Sequence, residues 1–138
     1  MNDLKRFLEA QENDYETALA EIERGRKQSH WMWYIFPQIA GLGFSSTSKF
    51  YAIKDRGEAE NYLAHPLLGK RLIEISNALL KVEGKTANQI FGSPDDMKLK
   101  SSMTLFGALE NTNPVFQRVL DKYFDSAKDQ RTLELIDV

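Results

Sequence analysis

The sequence predicts an all-α fold, a single compact multihelical domain over residues 1–138. Three observations predict it. Leu68, Leu72, Ile75, Leu79 and Val82 recur at spacings of 4, 3, 4 and 3, the period of a helix with one buried stripe. Ser93-Pro94-Asp95-Asp96 joins a capping serine, a proline at the first helical position and acids in the first turn, which together mark a helix start. No convincing two-residue alternation, internal repeat, linker or low-complexity run interrupts the chain.

The elements follow in order. Leu4, Phe7, Leu8 and Gln11 mark one face of a first short helix. Asn13 with Glu16 then fits a capping box that restarts the chain as a second helix through Tyr15, Ala18, Leu19 and Ile22, ending near Gly25. Residues 30–36 fit a strand by their aromatic and β-branched content, and fit a short buried helix before Pro37 equally well. Gly41 and Gly43 break the chain, and the hydroxyls of Ser45, Ser46, Thr47 and Ser48 offer caps for a helix carrying Phe50, Tyr51 and Ile53. A short helix with Ala59, Tyr62 and Leu63 stops at His65-Pro66.

The stripe from Leu68 gives a helix over 66–83, stopped by Gly84, and Thr86 to Phe91 form one or two turns. The helix opened by Ser93 and Pro94 runs over 94–110 with Leu99, Met103, Phe106 and Leu109 inward. Pro114 opens another over 114–125, with Val115, Phe116, Val119, Leu120, Tyr123 and Phe124 on one side. A last short helix follows Asp129, with Leu133 and Ile136 facing in.

Composition narrows the function. With 42% hydrophobic and 28% charged residues the chain is globular rather than disordered. A net charge of −2 argues against nucleic acid as a partner, so any anion site must be local. The absence of cysteine excludes thiolate chemistry and suits a cytoplasmic protein. Met1–Arg6 lacks the apolar run of a signal peptide. The most apolar stretch, Trp31–Phe44, falls short of the roughly 20 residues that span a bilayer.

Candidate chemistry gathers in "ERGRKQSHWMWYIFPQ". Arg24, Arg26 and Lys27 complement a helix C-terminus, but three cations in four residues exceed what a cap needs. With Ser29 and His30 they can form an anion site, His30 being the candidate proton-transfer group. Trp33, Ile35 and Phe36 are expected in the core, whereas Trp31 and Tyr34 fall on another face and are expected to line a pocket, Trp31 as a stacking platform. Gln38 must find hydrogen bonds wherever it is buried. Ser45 and Ser46 border a helix N-terminus that welcomes an anion, with capping as the competing explanation for them. On the helix beginning at Pro94, Lys98, Ser101 and Ser102 share a polar face. The two histidines, His30 and His65, lack a matched set of carboxylates, so no metal and no other cofactor is assigned.

"EIERGRKQSHWMWYIFPQIAGLG", "YLAHPLLGKRL" and "IFGSPDDMKLKSSMTLF", with "LKRFLEAQ" and "DQRTLELI", resemble the bacterial family catalogued as domain of unknown function eighteen-ten. The resemblance covers nearly the whole chain and implies a small cytoplasmic all-α protein. It brings no biochemical function with it. The label calpastatin, carried by some members, has no support in these residues. "FDSAKDQRTLELI" departs from the family in lacking a glycine there.

The functional expectation is a small anionic, nucleotide-like ligand bound or processed between the Arg24–Gln38 segment and the Lys98–Ser102 helix face. His30 and the Ser101–Ser102 pair are expected to line one pocket, with Arg26 or Lys27 at its rim. Two cationic clusters repel, so such convergence needs either a ligand or an intervening acid such as Asp95 or Asp96. The alternative is a non-catalytic module that docks a protein through exposed aromatics of residues 31–36. No membrane association and no particular oligomeric state are assigned.

Overall fold

The computed structural model describes residues 4–137. The first three residues of the Met1–Arg6 segment, and the last of the 1–138 domain, lie outside the described residues. Within them the chain forms nine helices: α1 (Lys5–Glu23), α2 (Met32–Ile35), α3 (Ser46–Tyr51), α4 (Arg56–Ala64), α5 (Leu68–Lys81), α6 (Ala87–Phe91), α7 (Asp95–Gly107), α8 (Val115–Phe124) and α9 (Gln130–Ile136). The sole β-type pairing among them is a parallel bridge between Ile39 and Ile53. The all-α expectation holds.

The two N-terminal helices expected from Asn13 and Glu16 are one helix of 19 residues. Phe7, Gln11, Tyr15, Ala18 and Ile22 are all buried and keep a single stripe in register, so a break at Asn13 would rotate the second half off the core. That stripe outweighs the local capping signal, and Asn13 and Glu16 stay exposed. Gly25, at φ 78°, ends α1: its N–H reaches the Ile22 carbonyl and the Arg26 N–H reaches that of Glu21.

Helix α7 is the most deeply buried element, with every residue from Ser101 to Phe106 closed off from solvent. It packs against α8, α6, α9 and α4, while α5 packs against α1, α8 and α4. Phe7, Tyr62, Phe106 and Phe116 run through the core as successive ring contacts of 5.1, 5.4 and 5.9 Å. Buried Gln11 is satisfied by donating to the Tyr34 carbonyl and the Tyr62 hydroxyl.

Three local expectations change. Pro94 occupies the cap position of α7 and no side chain caps that helix, so Ser93 takes no part. Ile53 lies beyond α3, in the bridge to Ile39. In α9 the buried pair is Thr132 and Ile136 rather than Leu133 and Ile136, because the Thr132 hydroxyl turns in to bond Asp129.

Two backbone positions set measurable stabilities. A Cβ on Gly69 would lie 2.0 Å from the Leu63 carbonyl oxygen, where α5 begins against the end of α4. Gly69→Ala is therefore expected to cost at least about 1–3 kcal/mol in chemical denaturation. Asp125 and Ser126, just after α8, adopt φ of 52° and 68°. Asp125→Gly should relieve left-handed strain and gain on the order of 1 kcal/mol by the same measurement.

Candidate functional site

The turn after α1 builds the site. Glu21, in the last turn of α1, is 3% exposed, yet its carboxylate is fully occupied. Oε1 accepts the backbone N–H groups of Gln28 and Ser29 and the indole N–H of Trp31, and Oε2 accepts the Ser29 hydroxyl. Burial alone would raise the carboxyl's pKa; the bonds from Ser29, Gln28 and Trp31 overcome it and hold the group down at about 2, below its usual 4.5. Ser29 is thus a structural donor to Glu21.

That anchoring decides which tryptophan is inside. Trp31 is 1% exposed, with Phe36 and Phe91 beside its ring, and presents no stacking face to solvent. Trp33 is half-buried and lines a surface groove. The two faces are the reverse of the expected ones, because Glu21 draws in the indole N–H of Trp31 and so fixes the register of α2. Tyr34 is buried as well, its hydroxyl shared between Asp14 and the His30 carbonyl, and only its edge reaches the groove. Ile35 and Phe36 lie in the core as expected. Within residues 31–36 Trp33 alone offers an aromatic face to the exterior, so the run is no broad docking surface.

The two cationic clusters do meet, and a carboxylate joins them. Asp95, at the start of α7, stands 3.0 Å from Lys27 Nζ and 3.5 Å from Lys98 Nζ. Lys27 lies over the Trp31 ring at 5.0 Å and Lys98 over the Trp33 ring at 5.2 Å. Lys27 is the more buried and also donates to the Ser29 carbonyl, so Lys98 is the ammonium group that stands open beside Trp33. Arg26 and His30 are exposed.

The hydroxyls of α7 turn elsewhere. Ser101 bonds the Met97 carbonyl and Asp129, which caps α9, and is 7% exposed. Ser102 is fully buried, and its hydroxyl has no hydrogen-bond partner among the described residues. A sealed Ser102 cannot share an open pocket with exposed His30, which removes it from the expected ligand contacts.

The groove itself measures about 510 Å³ and is lined by Trp33, Tyr34, Ser46, Thr47, Phe50 and Tyr51. A narrow niche continues from Trp33 and Tyr51 past Gln38, Gly43 and Ser48. Gly43 permits that closeness, since a Cβ there would lie 2.5 Å from the Ser48 Cβ. Ser45 caps α3 by accepting the Ser48 N–H, so its role is local, while Ser46 faces the groove. Sequence reading missed Glu21, Thr47, Phe50 and Tyr51 as site residues. Only Glu21 carried a signal, as an acid on the inward stripe of α1. Among the described residues no group of three or more His, Asp or Glu is placed to hold a metal, and no helix is long and apolar enough to cross a membrane.

Fold and site define a small all-α protein with an aromatic groove walled by α2 and α3 and flanked by the N-terminal turn of α7. The chain belongs to the family described as "Protein of unknown function (DUF1810)", whose model matches residues 1–136. It is similar to the conserved hypothetical protein Rv1873 from Mycobacterium tuberculosis, whose crystal structure was solved at 1.38 Å. The two are 45% identical with a TM-score of 0.97, over 99% of this chain and 98% of that one. No curated protein matches the chain.

Trp31→Ala is expected to cost about 3–5 kcal/mol in denaturant unfolding, and Trp33→Ala clearly less. Equal losses would contradict the assignment of faces. The depressed Glu21 carboxyl contributes stability above pH 4.5 that disappears as pH falls toward 2, on the order of 3 kcal/mol. Unfolding curves collected across that window should fall steeply for the native chain and more shallowly for Glu21→Gln.

Proposed function

We propose that the protein binds a small anionic ligand carrying a flat ring, of the nucleotide kind, in the groove beside Trp33. One observation carries this reading: Lys98 Nζ stands 5.2 Å from the Trp33 ring centroid and is the more exposed of the two ammonium groups that share Asp95. The half-buried indole offers the ring a stacking surface, and Phe50 and Tyr51 supply apolar walls. The hydroxyls of Ser46 and Thr47 and the amide of Gln38 supply hydrogen bonds at the edges. Lys98 meets the anion. Any proton-transfer step on such a ligand falls to His30, the exposed imidazole four residues before Tyr34. The bacterial cytoplasm is the proposed place of action, on the absence of cysteine and the mycobacterial origin of Rv1873.

The test uses the position of the two indoles. Trp31 is sealed, so in the native chain titration with adenosine and guanosine monophosphates should shift the emission of Trp33, and saturably. Lys98→Met should weaken that response about tenfold, as loss of a hydrogen bond to a charged group does. No saturable change, or a response indifferent to Lys98→Met, would overturn the proposal.

A further inference from the structure

Helix α3 is held where its own packing would not hold it. None of its six residues is fully buried, and Tyr51 alone leans inward, on Tyr34 and Phe7. So short a helix is not stable by itself in water. Arg6, buried in the first turn of α1, fixes it instead. Its guanidinium donates to the Phe50 carbonyl at 2.8 Å and the Ala52 carbonyl at 2.7 Å, and pairs with Glu58 at 2.9 Å. The Ile39–Ile53 bridge secures the following residues.

This helix and the turn before it present two rings to solvent. Phe44 is 85% and Phe50 58% exposed, the highest values for large hydrophobic side chains among the described residues. Lys49 and Lys54 flank Phe50, exposed and without an ion pair among the described residues. Residues 43–54 contain those two lysines and no acid, while the rest of the chain holds 16 basic and 20 acidic residues. Two ammonium groups thus stand on this face of a chain whose net charge is −2, and the nearby Glu58 carboxylate is already paired with Arg6.

We propose that the face from Phe44 to Lys54 docks an acidic linear peptide segment of a partner protein, with bulky apolar side chains set against Phe44 and Phe50. The rigid backbone lowers the ordering cost of binding, and the lysines steer and orient an acidic chain. Charge selects this occupant. Two copies of the face would set lysine against lysine, which disfavours a second copy of the chain. A nucleic acid or an anionic bilayer extends beyond the patch and meets the negative remainder, whereas a short peptide meets the patch alone.

The test is fluorescence anisotropy with a short labelled peptide of Asp, Glu, Leu and Phe, and a control peptide with lysine in place of each acid. The native chain should bind the acidic peptide saturably and more weakly as salt rises, and should ignore the control. Phe44→Ala, and Lys49→Glu with Lys54→Glu, should each weaken binding at least about tenfold. These side chains do not line the Trp33 groove, so the nucleotide response of Trp33 should persist in both variants. Absence of saturable binding, equal binding of the control, or indifference to both variants would overturn the proposal. Tighter binding of oligouridine or of phosphatidylserine vesicles, lost in the same variants, would overturn the peptide assignment.

Discussion

Glu21 carries its charge out of water where α1 ends, and it can do so only while Gln28, Ser29 and Trp31 turn their N–H and O–H groups toward it. This single requirement shapes the densest aromatic stretch of the chain. The Gly25 turn reverses the backbone within hydrogen-bonding reach of the helix it has just left, and the Trp31 indole follows into the core. With Trp31 fixed, α2 has no freedom of rotation: Ile35 and Phe36 fall inward, and Trp33 falls outward. Removing one donor would leave a buried carboxylate under-solvated, so the arrangement stands or fails as a unit.

Asp95 has a comparable place between distant segments. Lys27 and Lys98 are 71 positions apart in the chain and would repel if brought together bare. The carboxylate at the start of α7 lets them approach, and it sits where acids favour a helix start in any case. One residue thus serves the local helix and the long-range contact. The cations lie over two different indoles, one sealed and one open, and only the open one can respond to a molecule arriving from outside.

What the sequence made legible follows the strength of its periodic signals. The stripes of α5 and α8 stood clear because each exceeds two turns and buries large side chains along one face, whereas α7, also longer than two turns, is buried on every side from Ser101 to Phe106. The Asn13–Glu16 signal was genuine chemistry defeated by the continuous stripe from Phe7 to Ile22, since core burial outweighs a cap. The Trp31 and Trp33 reversal had another source. Helix α2 has one turn, too short for periodicity to choose a face, and the choice came from a carboxylate ten residues upstream of Trp31. Ser102 read as part of a polar face shared with Lys98, yet the packing of α7 closes over it and leaves its hydroxyl unpartnered. The meeting of Lys27 with Lys98 was legible as a question of charge, and Asp95 was among the acids expected to answer it.

The bonds from Arg6 to the Phe50 and Ala52 carbonyls have a consequence for local unfolding. Arg6 stands in the first turn of a helix, where the backbone N–H groups lack intrahelical partners and fraying begins. When that turn opens, the guanidinium leaves with it, and the two carbonyls at the end of α3 lose their donors in the same event. The start of α1 and the whole of α3, more than forty positions apart, then form one cooperative unit in amide exchange. Their protection should rise and fall together, apart from the buried centre around α7.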